Sequence, residues 1–73
     1  MKASLHISIK YTGNTYENSP LGAKIIKAFG RPEGHGVGMG YEDFSYGIPQ
    51  KNIIKALKLA KKIVGRKGTV MIG

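Results

Sequence analysis

The chain has 73 residues, with 12 Lys and Arg against 4 Asp and Glu, so its formal net charge at pH 7 is +8. Its hydrophobic share of 41% excludes a wholly disordered basic tail, because that share is close to the usual value for globular proteins. A chain of this length buries only about 60% of its surface on folding, which indicates a single domain over residues 1–73 and excludes a two-domain enzyme.

The first predicted element is a strand over residues 2–11. Its odd positions are apolar and its even positions are polar, and this period of two is typical of a strand with one buried face. The apolar positions are Ala3, Leu5, Ile7, Ile9 and Tyr11.

Residues 12–18 carry turn-forming side chains and are predicted to form a loop. Tyr16 lies in this polar loop, outside the apolar pattern of any predicted strand or helix, so no pattern predicts its burial and it is a candidate for partner binding.

A short helix is predicted next. Ser19 has the chemistry of an N-cap, Pro20 suits the first helical position, and Gly30 stands where a helix commonly ends. Its apolar positions at helical spacing are Leu21, Ile25, Ala28 and Phe29. Gly22 lowers the helix propensity, so we expect this helix to depend on docking against a sheet.

Residues 34–48 begin with glycines at alternate positions, a pattern that indicates a strand with one bare face. The apolar positions change parity after Asp43, which requires either a bulge in one long strand or a hairpin, and both alternatives are open. A bare face permits close approach of another backbone, from a helix of the same chain or from a second copy. The partner-binding candidates on this segment are Gly36, Gly38 and Gly40.

The clearest predicted helix begins at Pro49 and ends at Gly65. Its apolar face carries Ile53, Leu57, Ala60 and Val64, and the opposite face carries four lysines, which we call the lysine stripe. The stripe consists of Lys51, Lys55, Lys58 and Lys62. Residues 69–72 are rich in strand-forming side chains and are predicted to form a final buried strand.

This order of elements predicts an α+β fold of two layers. We expect a sandwich of the ferredoxin-like type, in the order β-α-β(β)-α-β, with both helices on one face of a three- or four-stranded sheet. The other face of the sheet should remain open and should carry the polar side chains of the first strand.

The lysine stripe is the feature most informative about function. Residues 44–73 contain seven cations and no acidic residue, and like charges at a spacing of four residues on a helix repel one another. Such a surface favours phosphates, so we expect a nucleic-acid-binding module of low sequence specificity, for DNA or RNA. The further candidate contacts are Arg66, Lys67 and Lys10. A solvated lysine face that contacts nothing is an equally simple interpretation of the charge pattern.

The alternative function is a small protein-interaction module. It would be a homo-oligomer, an inhibitor or an accessory factor that docks on an acidic partner surface. A small core without disulfides favours self-association in particular, because a second copy would bury surface that 73 residues leave exposed.

An enzyme, a metal site and a cofactor are not expected. The chain has no cysteine, and His6 and His35 are predicted to be solvated surface residues outside any metal-binding spacing. The glycines do not form a dinucleotide or phosphate loop. No apolar stretch suits a signal peptide or a membrane span, so a cytoplasmic location is expected.

Residues 37–44 are similar to the octapeptide of RNA-recognition motifs at Gly38, Gly40 and Phe44 and, more loosely, at Tyr41. The pattern departs from that family where Met39 replaces a stacking aromatic ring and where Glu42 occupies a position that is buried in the family. The chain is therefore assigned to no family on this segment.

Overall fold

A computed structural model describes all residues from 1 to 73 as a four-stranded antiparallel sheet with two helices. The main elements are β1 (Lys2–Lys10), α1 (Pro20–Phe29), β2 (Gly34–Gly38), β3 (Tyr41–Pro49), α2 (Ile53–Val64) and β4 (Gly68–Ile72). Two 3-10 turns, Tyr16–Asn18 and Gln50–Asn52, precede the helices. The α+β class and the order β-α-β-β-α-β are confirmed, and the strands lie in the order β2-β3-β1-β4.

The core lies between one face of the sheet and both helices. Alternate residues of β1 and β3 point to the same side, where Ile7 lies opposite Phe44, and both side chains are fully buried. The helices contribute Ile25 from α1 and the inner face of α2 to this core. The prediction that Leu5, Ile7 and Ile9 face the core is therefore confirmed. The other face of the sheet, which we call the open face, is covered by no helix.

Helix α1 begins and ends as its sequence predicts. The Oγ of Ser19 accepts a hydrogen bond from the backbone N–H of Gly22 at 2.9 Å, and Gly30 terminates the helix with a φ of 83°. Gly22 has a packing reason to be glycine, because an added Cβ would lie 2.1 Å from the carbonyl oxygen of Tyr16. The loss of helix propensity at Gly22 is thus offset by a close contact with the preceding turn.

The glycine-rich segment is a hairpin. Met39 and Gly40 connect β2 to β3 with φ values of 53° and 84°, and two consecutive positive φ values are typical of a type I′ turn. The turn accounts for the change in apolar parity. Gly36 and Gly38 lie on the open face, whereas Gly40 belongs to the turn and not to the bare face.

One predicted boundary and one predicted burial are wrong. Pro49 is the last residue of β3, where it lies opposite Lys2, and α2 begins at Ile53 after a 3-10 turn. Strand β4 is not buried, because it is an edge strand that pairs only with β1, and its Met71 side chain is 63% exposed. Neither helix has the length and apolar composition that a membrane crossing requires.

Tyr46 connects the core to the end of α1 and gives the fold an expected pH dependence. Its hydroxyl donates a hydrogen bond to the Gly30 carbonyl at 2.9 Å. Burial, with a smaller contribution from nearby Tyr16, raises the pKa of Tyr46 to about 12 from 10.0. Because the folded-state pKa is the higher one, this stabilisation is complete below pH 10 and is lost as the pH rises through 12.

Tyr46→Phe is therefore expected to reduce the alkaline loss of stability. The difference in unfolding free energy between wild type and variant, measured by urea denaturation at pH 8 and pH 11.5, should shrink at the higher pH. A difference that is constant across this range would show that ionisation of Tyr46 is not linked to folding.

Candidate nucleic-acid interface

A groove of about 950 Å³ opens at one end of the molecule, where β1 ends and α1 begins, and we call it the end groove. Four cationic side chains line it, and none of its 13 lining residues is acidic. The cations are Lys10, Lys24, Arg66 and Lys67. The end groove therefore has the charge of an anion-binding surface.

The antiparallel register of the sheet brings these cations together. Lys10 ends β1 opposite Tyr41, and the adjacent Ile9 lies opposite Gly68. The C-terminal end of β1 therefore lies beside the N-terminal ends of β3 and β4, at one end of the sheet. Arg66 and Lys67 immediately precede β4. The first turns of α1 contribute Lys24 from the helix layer.

Tyr41 is the aromatic side chain of the end groove. It lies on the open face, because its neighbour Glu42 points into the core, and it is 51% exposed. Its two cross-strand neighbours are Lys10 on β1 and Gly38 on β2. The ring makes no stacked or edge contact with another aromatic ring, unlike the rings of Tyr16, Phe29, Phe44 and Tyr46.

The lysine stripe is exposed along the outer side of the helix layer. All four of its side chains are solvent-exposed, while the buried residues of α2 lie on the inner side. The only basic side chain within 4.0 Å of a carboxylate is His35, beside Glu42, so no Lys or Arg is neutralised by a carboxylate at that distance. The positive charge of the stripe and of the end groove is therefore available to an external anion.

Two of the four acidic residues form hydrogen bonds within the protein. Glu42 is 1% exposed, and the Oε2 of Glu33 accepts a hydrogen bond from the backbone N–H of Gly47 at 2.6 Å. Glu17 and Asp43 are exposed, with Asp43 on the open face opposite Ser8 and Gly36. None of these carboxylates lines the end groove.

A buried polar cluster joins the first loop to the β2-β3 hairpin. The Oε2 of Glu42 lies 2.6 Å from the Nε2 of His35 and accepts a hydrogen bond from the backbone N–H of Tyr16 at 2.9 Å. The Tyr16 ring stacks on the His35 ring at a centroid distance of 4.1 Å. The Oε1 of Glu42 is buried without a hydrogen-bond partner.

This cluster overturns one expectation and qualifies another. The prediction that His35 is a solvated residue is wrong, because the hairpin register places it opposite Phe44 on the core side and its side chain is only 14% exposed. Tyr16 covers the rim of the core, so the face of its ring that stacks on His35 is closed to a partner. His6 is exposed as expected, with its Nδ1 3.1 Å from the Oγ of Ser45 on the open face.

Neither histidine contributes to the end groove, and the chemistry available there is ionic and aromatic. The lining supplies ammonium and guanidinium groups, the phenol ring of Tyr41, and the hydroxyls of Thr12 and Thr69. No cluster of three or more His, Asp or Glu side chains is arranged to hold a metal ion.

The structure places most sequence-derived candidates on two connected surfaces. Lys10, Arg66 and Lys67 lie in the end groove. Of the lysine stripe, Lys55, Lys58 and Lys62 lie on α2, whereas Lys51, predicted to lie on the same helix, belongs to the 3-10 turn that precedes it. Sequence reasoning missed Lys24, because it lies in a region whose charges nearly balance. Its polar position between the apolar Leu21 and Ile25 of α1 is the one signal that marks it as exposed.

Comparison with protein-family models, with curated protein sequences and with solved structures finds no match to this chain.

Proposed function

We propose that the protein binds nucleic acid with low sequence specificity through the end groove and the lysine stripe. The observation that carries this proposal is the end groove, an open cleft with four cations and no acidic lining residue. Phosphate groups are the ligands that such a surface attracts most strongly, and contacts to phosphates carry no direct sequence information.

The lysine stripe supports the same function. Lys55 and Lys62 are separated by about 10 Å along the helix axis, which is long enough to follow more than one phosphate of a nucleic-acid backbone. The repulsion between Lys51, Lys55, Lys58 and Lys62 is relieved by no carboxylate within the fold. A bound polyanion would relieve it.

The proposal extends to the fold type. The element order, with both helices on one side of an antiparallel sheet, supports the ferredoxin-like type of sandwich. In this arrangement the helix layer carries the stripe, and the end groove joins it to the open face.

Titration of a labelled 20-nucleotide strand at 50, 100 and 200 mM salt tests the function. If the four cations of the end groove and the four of the lysine stripe all contact phosphates, log affinity should fall against log salt with a slope of about −5.6 for a single strand. The absence of salt-dependent binding to any oligonucleotide would contradict the proposal. Binding to polyglutamate without binding to oligonucleotides would favour an acidic protein partner instead.

Self-association is a second candidate, and the exposed hairpin favours it. Strand β2 is an edge strand, and an added Cβ at Gly36 or Gly38 would meet no atom within 4 Å, so this side of the sheet is bare. Edge strands with small side chains can pair with a second copy.

We expect sedimentation equilibrium to detect a dimer at high micromolar concentration. Val37→Lys, which adds a charge to the edge strand, should shift the population to monomer. A wild-type protein that is monomeric at that concentration would contradict self-association.

A further inference from the structure

We propose that the end groove selects single-stranded over duplex nucleic acid, because an unpaired base stacks on Tyr41 above the bare glycines of β2. This inference rests on the proposed function and specifies its substrate. It uses two features that phosphate binding alone leaves unexplained, namely an exposed aromatic ring among cations and a strand edge without side chains on one face.

The surroundings of Tyr41 leave room for a planar ligand. Tyr41 is 51% exposed, and its ring takes part in none of the aromatic contacts of the protein. Its cross-strand neighbour Gly38 has no Cβ, and the next residue on that side of β2 is Gly36. Both glycines face open space. A base next to the Tyr41 ring would therefore contact a flat backbone surface and displace no side chain.

The charges around Tyr41 favour one position for the phosphates and another for the base. Lys10 lies beside Tyr41 on β1, and Lys67 lines the same groove. Asp43 lies two residues along β3 on the same face and would repel a phosphate. The nucleic-acid backbone is therefore drawn toward the groove, while an uncharged base can extend over β2.

This arrangement suits a single strand. In a duplex the bases are paired and stacked inside, and the phosphates lie outside, so the Tyr41 ring could reach a base only after the pair had opened. Stacking on an aromatic side chain is tolerant of sequence, because every base has a π face. The inference therefore agrees with binding of low sequence specificity.

Substitution of Tyr41 tests the inference directly. Tyr41→Ala is expected to weaken binding of a single-stranded 20-mer by about 5- to 150-fold, the usual cost of losing one base stack. Tyr41→Phe keeps the ring and should bind within about twofold of wild type. Tyr11→Ala is the matched control, since Tyr11 is also exposed beside Lys10 but does not line the groove.

A substitution of Gly38 provides a second test that does not alter the ring. Gly38→Val should fold normally, because a Cβ at this position meets nothing within 4 Å and valine favours strands. Its side chain would occupy the surface beside Tyr41 and should lower single-strand affinity. Val37→Thr changes the opposite face of the same strand and should leave that affinity unchanged.

The outcomes separate this inference from the function on which it rests. Single-strand affinity that is unchanged in Tyr41→Ala, or lowered equally in Tyr11→Ala, would overturn the role of Tyr41. Salt-dependent binding that is equally strong for single strand and duplex would overturn the selectivity and leave the proposed function standing. A wild-type protein that binds no nucleic acid would refute both.

Discussion

Replacement of the lysine stripe by glutamine, in the variant K51Q/K55Q/K58Q/K62Q, is expected to remove a large part of the salt dependence of nucleic-acid binding. Four lost phosphate contacts should reduce the slope of log affinity against log salt by about 2.8 on a single strand and by about 3.6 on a duplex. Over a fourfold change in salt, these slopes correspond to about 50-fold and about 150-fold in affinity.

The fold should tolerate this change. All four side chains are exposed, glutamine retains the helix propensity of lysine, and the repulsion along α2 disappears. Circular dichroism and thermal melting should therefore match wild type. Oligonucleotide titration at several salt concentrations then measures the slope without interference from unfolding.

The chain offers two matched controls, because its 12 cations divide into three sets of four. The variant K10Q/K24Q/R66Q/K67Q removes the end groove charges and should reduce the slope by a similar amount. The variant K2Q/K27Q/R31Q/K61Q removes the remaining four cations and should change the slope little. Equal reductions in all three variants would show that binding follows net charge and involves no defined surface.

Ile7→Ala is expected to lower the free energy of unfolding by about 2 to 5 kcal/mol. Ile7 is fully buried in the central strand β1, between Phe44 on β3 and Val70 on β4. Truncation removes its buried methyl groups and leaves a cavity that the sheet backbone cannot close. A loss of this size is a large share of the stability of a small domain, and urea denaturation measures it.

Ile54→Ala is the control for this experiment. Ile54 lies on α2 and is 57% exposed, so its truncation should change the free energy of unfolding by no more than about 0.5 kcal/mol. A loss of only a few tenths of a kcal/mol in Ile7→Ala would contradict the placement of the odd positions of β1 in the core.

The elements that the sequence predicts well are those set by local chemistry. The period of two in β1 identifies its buried face, and Ser19, Pro20 and Gly30 mark the two ends of α1 because capping involves only neighbouring residues. The lysine stripe is likewise a local pattern of helical spacing, although its first member, Lys51, lies in the turn before α2. Each of these features can be recognised without knowing which elements touch.

The features that the sequence leaves open depend on strand register. The change of parity near Asp43 fits a bulge or a hairpin equally, and the choice of hairpin depends on positive φ at Met39, which no side-chain pattern reports. The contact between His35 and Glu42 follows only once β2 and β3 are paired. The end groove gathers cations from α1, β1 and the segment before β4, so its charge is visible only after folding.

The position of β1 at the centre of the sheet has a consequence for synthesis on the ribosome. Its two partners are β3 and β4, and β4 begins 58 residues after β1 ends. At about 5 to 20 residues per second, β1 waits about 3 to 12 s after its own translation for its second partner to be made. During this interval Leu5, Ile7 and Ile9 cannot be fully covered, so the nascent chain presents them to chaperones before the native sheet closes.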